Sequence, residues 1–322
     1  MLDKYNLGFG LPVTIRDALY DSYGLELHPV FNYQSLEYCD HYEGSENLRN
    51  LVNDFISRKC GMEKYKHIII TAGATQAINM CLRVLKDSSN GLVQTNNYYF
   101  AYYSDIIKKN GLTHIKLNFN KECPASGIAL IDSPSNPFGN IYTGNGSLAK
   151  YNIWDAVYHT PTYINGLMTG SLRHDIMIGS ASKAFGCPGL RIGWIATNSD
   201  ELFKELYYEV KYENATISNY SQVMLEQILT SDKLDTFLNK SKSYLNDNRN
   251  EMSNIEYLMN ANTPINGMFM VGDVDNQALT VFKRANIEFT DLGSGKIRLN
   301  MGQRRETVKE AIKAILKADN KR

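Results

Sequence analysis

The sequence predicts an α/β fold, a mostly parallel sheet covered by helices on both faces, followed by a smaller α+β unit. Three observations carry this reading. Between residues 66 and 200 short apolar runs alternate with segments of helical period. Several of those runs are continuously apolar, as expected for strands buried on both faces. Beyond residue 200 the rhythm changes to a long helical stretch and then to short strands.

Residues 66–71 (Lys-His-Ile-Ile-Ile-Thr) form a buried strand that ends at Ala72-Gly73, and the helix after it places Ala74, Ile78, Cys81, Leu82 and Leu85 on one side. A strand at 91–95 leads to a tyrosine-rich helix over 98–109, stopped by Asn110-Gly111. Further strands are expected at 113–119, 128–133, 151–156, 175–180 and 191–197. Residues 200–260 are almost wholly helical. After them come a strand at 267–272, a helix at 276–285, strands at 287–290 and 296–300, and a closing helix. In that helix Val308, Ile312 and Ile315 make the core stripe, with Glu310 and Lys313 on the wet side. The change of rhythm sets a boundary near residue 235, and no internal repeat or low-complexity tract interrupts the chain.

With 322 residues and 43% apolar content, the chain can bury a sizeable core in one large domain or two unequal ones. The formal charge is +0 and no basic block stands out, which argues against a nucleic-acid partner. The opening residues lack the apolar run of a signal peptide and no stretch approaches a membrane span, so a cytoplasmic protein is expected. Five dispersed cysteines (Cys39, Cys60, Cys81, Cys123 and Cys187) suit reduced thiols better than a disulfide framework. Neither they nor the six histidines adopt metal-ligand spacing, so no metal site is expected. Cys187 beside the lysine segment reads as a small apolar filler or as a reactive thiol.

The segment 180–194 (Ser-Ala-Ser-Lys-Ala-Phe-Gly-Cys-Pro-Gly-Leu-Arg-Ile-Gly-Trp) packs two hydroxyls, a lysine and an arginine among glycines. A lysine amine condenses with an aldehyde to a Schiff base. Ser180, Ser182 and the planar fork of Arg191 could hold a phosphate on that aldehyde. A glycine-rich turn with an exposed Lys183 is the plainer alternative.

Other segments carry matching groups. Gly73, Ala74 and Thr75 open a helix where backbone N–H groups and a hydroxyl can meet a phosphate, or where Thr75 simply caps. Asn136, between Pro134 and Pro137, is held so that its amide can bond a ring hydroxyl, unless the segment is an ordinary proline turn. Asp155 ends a strand, where a buried carboxylate needs a positive partner such as a protonated ring nitrogen, or where it is a loop acid. Tyr158 would aim its hydroxyl at the same ring. Tyr99, in an aromatic cluster, would stack on the ring face, although the register within the cluster is open by one residue. Arg298 lies inside a strand and needs an anion, either a substrate carboxylate or an internal acid.

Taken together, in this order and near this spacing, the pieces resemble the fold-type I pyridoxal phosphate enzymes, in particular the class I/II aminotransferases. The match runs from Asn6-Leu7-Gly8-Phe9-Gly10-Leu11-Pro12 through Tyr42-Glu43-Gly44-Ser45-Glu46-Asn47-Leu48-Arg49 to Arg298. Residues 174–177 (His-Asp-Ile-Met), the Ser-Lys-x-x-Gly stretch with Arg-Ile-Gly-Trp, and 217–222 (Ile-Ser-Asn-Tyr-Ser-Gln) look most like the alliinase and tryptophan-aminotransferase group. The resemblance implies a seven-stranded, mostly parallel sheet in an α/β/α sandwich over residues 28–235, with a small domain from 1–27 and 236–322.

It also implies pyridoxal 5′-phosphate as cofactor and a role for each matching residue. Lys183 would carry the cofactor and then shuttle the proton between Cα and C4′. Asp155 would hold the ring nitrogen, with Asn136 and Tyr158 at O3′. Gly73, Ala74, Thr75, Ser180, Ser182 and Arg191 would cradle the phosphate. Tyr42 would reach the phosphate of a neighbouring subunit, which implies a homodimer with shared sites. Arg298, Asn136 and the Gly10 backbone would receive the substrate. Departures from the pattern are Ala156 in place of a common Glu and Asn97 in place of a common Pro. The 110–155 region is also short.

The expected activity is ping-pong transfer of an amino group from an L-amino acid, aromatic by resemblance, to a 2-oxo acid. The alternatives are a lyase of the alliinase type or a biosynthetic amino-acid-modifying enzyme of the same fold. A cofactor-binding regulator without turnover ranks below these, since no helix-turn-helix segment precedes the enzyme-like region.

Overall fold

The computed structural model describes residues 5–24, 36–118, 126–142, 149–165 and 174–320. Cys123, the end of the strand expected at 113–119, and the proposed domain limit at 27/28 lie outside them.

The first described elements are a short strand β1 (Tyr5–Asn6) and two helices, α1 (Val13–Tyr23) and α2 (Glu46–Cys60). Ser45 caps α2 by accepting from the Leu48 N–H, and Gly61 ends it in the left-handed region that glycine adopts readily. The strands that follow are β2 (His67–Thr71), β3 (Leu92–Asn96), β4 (Thr113–Leu117), β5 (Ile128–Asp132), β6 (Tyr151–Asp155), β7 (Ile176–Ser180) and β8 (Gly193–Thr197). They form one seven-stranded sheet in the order β2-β8-β7-β6-β5-β3-β4. Pairing is parallel from β4 through β7, whereas β8 runs antiparallel to both β7 and β2.

The sheet is buried on both faces. Ile69, Ile128, Leu130, Ile153, Ile178 and Ile195 join one core with α3 (Ala74–Leu85), α4 (Tyr102–Lys109) and α6 (Asp200–Asn214). The alternate residues Ile68, Ile70, Ala129, Ile131, Trp154 and Trp194 join the other core, which includes α2 and α7 (Asn219–Thr230). This is the two-sided burial expected of an α/β sheet. Each fully buried Leu, Ile or Phe contributes about 1.5–3 kcal/mol relative to exposure.

The 200–260 stretch divides into α6, α7, α8 (Leu234–Ser253) and α9 (Glu256–Met259). Beyond it, β9 (Phe269–Asp273), β11 (Thr290–Gly293) and β12 (Lys296–Asn300) form a three-stranded antiparallel sheet, with α10 (Asn276–Arg284) and α11 (Arg305–Asp319) beside it. The single strand expected at 287–290 is two: β10 (Ile287–Glu288) pairs in parallel with β1, and β11 pairs with β12. Its residues serve two different neighbours, so the ladder breaks at Phe289. The helix expected from residue 98 begins at Tyr102, and the strand expected from Arg191 begins at Gly193.

Candidate active site

The carboxyl ends of the parallel strands converge on one cavity, where open α/β sheets place their ligands. Asp132 closes β5, Asp155 closes β6 and Ser180 closes β7, and all three line a cavity of about 220 Å³ with Lys183, Asn136 and Tyr158. Ala74, Thr75 and Arg191 also line it, so residues drawn from more than a hundred positions of sequence share one wall.

Lys183 sits in the one-turn helix α5 (Ala181–Ala184), whose cap Ser180 accepts from the Ser182 N–H at 3.1 Å. Its amine donates to the Gly10 carbonyl and lies 5.9 Å above the Tyr158 ring. Burial, with a smaller push from the Arg298 charge, holds its pKa down to about 8. A good share of these amines is therefore neutral near pH 8, the form that attacks a carbonyl.

Asp155 is buried and accepts twice, from the Tyr103 hydroxyl at 2.5 Å and from the Val157 N–H at 3.1 Å. Burial raises its pKa, and these two donors oppose that shift. Asn136 sits with Ser133, Pro134 and Pro137 in a turn whose two X-Pro bonds are cis. Its side-chain oxygen accepts from Arg298 at 3.0 Å, and its backbone N–H donates to Asp132 at 2.7 Å. Arg298 also donates to Thr290 at 3.2 Å and to the Gly8 carbonyl at 3.3 Å, and stands 4.2 Å over the Phe269 ring. All these partners are neutral, and its Nε is buried with no partner. Among the described residues no acid accepts from Arg298, so the internal partner that might have explained an arginine in this strand is not found there.

Arg191 adopts φ 52, and its guanidinium donates to the Ala72 carbonyl at 3.1 Å and to the Pro188 carbonyl at 3.1 Å. Gly73 makes this possible. Its φ is +84, and a Cβ there would stand 2.7 Å from an Arg191 nitrogen. Gly73 thus shapes the wall without lining the cavity.

Two expected placements change. Tyr99 is turned aside: its hydroxyl meets Ser104 at 2.5 Å and its ring lies parallel to Tyr103. Phe100 lines the cavity instead. The residues before Tyr102 are not helical, so the side chain facing the site shifts by one. Tyr42, expected to serve a neighbouring subunit, does not line this cavity; its ring packs edge-on against Tyr207 at 6.0 Å, with Lys211 5.0 Å above it. Gly10 reaches the site through its carbonyl, and a carbonyl does not attract a carboxylate.

Sequence reasoning missed Asp132, Tyr103 and Asn300, whereas Phe100 falls within the one-residue register left open around Tyr99. Asn300 donates to the carbonyls of Phe9 and Leu11, at 2.6 and 2.9 Å, and so fixes Gly10 between them. Asp132 was legible as a strand-end acid in the same pattern as Asp155. Cys187 packs partly buried against the core, and burial pushes its thiol up to about 12. Cys39, Cys60 and Cys81 are free thiols too.

The family model described as aminotransferase class I and II matches residues 30–315. The chain belongs to this family. Among relatives of this aminotransferase-family chain is tryptophan aminotransferase-related protein 2 of Oryza sativa subsp. japonica, 27% identical over 182 residues, 51% of this chain and 34% of that protein. A probable aspartate aminotransferase of Methanocaldococcus jannaschii is 31% identical over 186 residues, 51% of this chain and 49% of the relative. The chain therefore spans between a third and a half of the length of these relatives. The aromatic aminotransferase of Pyrococcus horikoshii has the same fold, with a TM-score of 0.77 at 17% identity over 100% of this chain and 97% of that one.

Pyridoxal 5′-phosphate is the cofactor of this family, and the donor set fits it. The cavity wall offers an amine for an aldehyde, hydroxyls and a guanidinium for a phosphate, and a buried carboxyl for a basic ring nitrogen. Among the described residues no cluster of metal-binding side chains occurs, and no helix is long and apolar enough to cross a membrane.

Proposed function

We propose that this chain moves the amino group of an L-amino acid to a 2-oxo acid by a ping-pong reaction. The carrying observation is the buried Lys183 amine, held down to a pKa of about 8, in one cavity with Asp155 and Arg191. Bound pyridoxal 5′-phosphate supplies an aldehyde for amino groups and a ring that withdraws electrons from the bonds at Cα.

The chain's residues do the rest. Arg191, Thr75, Ser180, Ser182 and the N–H groups of Ala74 and its neighbours grip the phosphate, in the space that Gly73 leaves. Asp155 faces the ring nitrogen and favours its protonated form. Asn136 and Tyr158 would hold the ring hydroxyl, and Phe100, which lines the cavity where Tyr99 does not, would cover the ring face. Arg298 takes the substrate carboxylate beside Asn136, which directs Cα toward Lys183. Lys183 would take the substrate's Cα proton and hand it back, as the amine whose pKa is held down to about 8. A single lysine serves both half-reactions, because the second reverses the first.

An aromatic amino acid is the substrate class the resemblance favours, and the name of the rice relative agrees with it. The reading includes a cytoplasmic homodimer in which Tyr42 serves the partner's phosphate, and a division into a large domain at 28–235 and a small one at 1–27 and 236–322.

The test is spectral. The yellow protein is mixed with a panel of amino acids, and conversion to the pyridoxamine form is followed together with the 2-oxo acid released. Conversion reversed by a second oxo acid is the expected result. Pyruvate and ammonia formed together, without an acceptor, would assign the lyase reaction instead.

A further inference from the structure

Asp132 is the one cavity acid to which the proposed reaction gives no task. It is the register partner of Asp155 on the adjacent parallel strand, and both side chains line the same cavity. Only 4% of Asp132 and 7% of Asp155 is exposed. Their hydrogen-bond partners are neutral and unequal. Asp155 has a phenol and a backbone N–H, whereas Asp132 has backbone N–H groups alone, chiefly that of Asn136.

Two neighbouring carboxylates in a buried site repel each other, and each loses hydration, so the pair keeps a proton. The proton rests on the acid that has no side-chain donor. The titratable groups that face Asp132 are Asp155, Tyr103, Tyr142 and Tyr158; each of those tyrosines is shifted upward, with burial the main cause and the Asp132 charge a smaller one. The cations of the site, Lys183 and Arg298, are occupied elsewhere, Lys183 on Gly10 and Arg298 on the Asn136 side chain, Thr290 and Gly8. Burial, and then the Asp155 charge, push the Asp132 pKa up to about 8.

We propose that Asp132 and Asp155 work as a carboxyl pair sharing one proton, held by Asp132 in the free protein and released to solvent when a cationic ring nitrogen docks at Asp155. The O–H bond of Asp132 breaks, the proton leaves to water, and no electrons are transferred. A positive charge within about 4–6 Å lowers a carboxyl pKa by about 1–3 units, enough to carry Asp132 below neutrality. Asp132 is a positioning residue in this scheme: it sets the charge opposite the nitrogen through Asp155. The inference rests on the reading of Asp155 as the nitrogen's partner.

The experiment compares the cofactor-free full chain with Asp132→Asn and Asp155→Asn. The amide of Asp132→Asn still accepts from the Asn136 N–H, and circular dichroism checks its fold. Calorimetric titration with pyridoxal 5′-phosphate near pH 7.5, in buffers of different ionisation enthalpy, counts the protons released. The wild-type chain is expected to release about one proton more per site than Asp132→Asn. Infrared difference spectra of the wild-type chain alone should show a protonated-carboxyl band that disappears on docking. Equal proton counts, or no such band, would overturn the carboxyl pair. If Asp155→Asn binds the cofactor with unchanged affinity and spectrum, the assignment of the nitrogen's partner falls and the pair with it. Weaker binding by Asp155→Asn with equal counts for Asp132→Asn removes the pair alone.

Discussion

The Tyr103 hydroxyl donates to Asp155 Oδ2 at 2.5 Å, from a ring that is itself fully buried. A helix behind the sheet thereby fixes the acid assigned to the ring nitrogen. Tyr103→Phe deletes the stronger of the two donors and lets the carboxyl turn or take up a proton. A hydrogen bond to a charged group is worth about 1.5–3 kcal/mol, so cofactor affinity should fall roughly ten- to hundredfold. Absorbance titration of the cofactor-free chain measures it, and affinity equal to wild type would dismiss Tyr103 as a support.

Lys183→Ala should lose amino-group transfer by at least about a hundredfold, since positioned proton transfer alone contributes 10²–10⁴. Borohydride reduction of the wild-type chain followed by peptide mapping should tag Lys183 and no other lysine. A tag elsewhere would relocate the site.

Arg298→Lys keeps a charge but gives up the planar fork and the bond to Asn136. The KM for both the amino acid and the oxo acid should rise about tenfold or more, while cofactor binding stays as it was. Steady-state kinetics with both substrates decide this, and a change confined to cofactor affinity would contradict a carboxylate role.

Gly73→Ala drives a methyl against the Arg191 guanidinium in a backbone conformation that alanine resists. Affinity for pyridoxal 5′-phosphate should drop by about tenfold or more, at a cost of roughly 1–3 kcal/mol. Pyridoxal, which has no phosphate, should bind both proteins alike. Equal losses for the two compounds would place the damage outside the phosphate grip.

Two pH effects have defined directions. Addition of pyridoxal to Lys183 needs the neutral amine, so its rate should climb with pH and level off above about 8. Asp132 has its pKa raised on folding, so the stability it lends is complete below the ordinary aspartate range and is lost as pH rises through about 8. The cofactor-free wild-type chain should therefore lose thermal stability relative to Asp132→Asn between about pH 4 and 8. Parallel melting curves over that range would remove the argument.

Much of the fold was legible because its strands are short, apolar and buried on both faces. What could not be read was orientation. A five-residue strand such as β8 carries no mark of antiparallel pairing when both its faces are covered. The helices α1 and α2 escaped notice because several of their turns are polar, and only tertiary contacts select them. In the site, Lys183, Asp155, Asn136 and Arg191 stood out because their neighbours are small or rigid. Phe100 supplanted Tyr99 because the chain from Asn97 to Ala101 is not helical, so a periodic reading could not settle the ring. Tyr103 and Asn300 act across long sequence separations and left no local trace.

The clasp of Asn300 on Phe9 and Leu11 sets an order of assembly during synthesis. The carbonyl that faces the reactive amine sits between Phe9 and Leu11, yet its anchor Asn300 follows Phe9 by 291 residues. A nascent chain can lay down the sheet and present the lysine well before the rim around it can close. Capture of a soluble aldehyde in a finished pocket then waits until Asn300 has been made and has docked on Phe9 and Leu11.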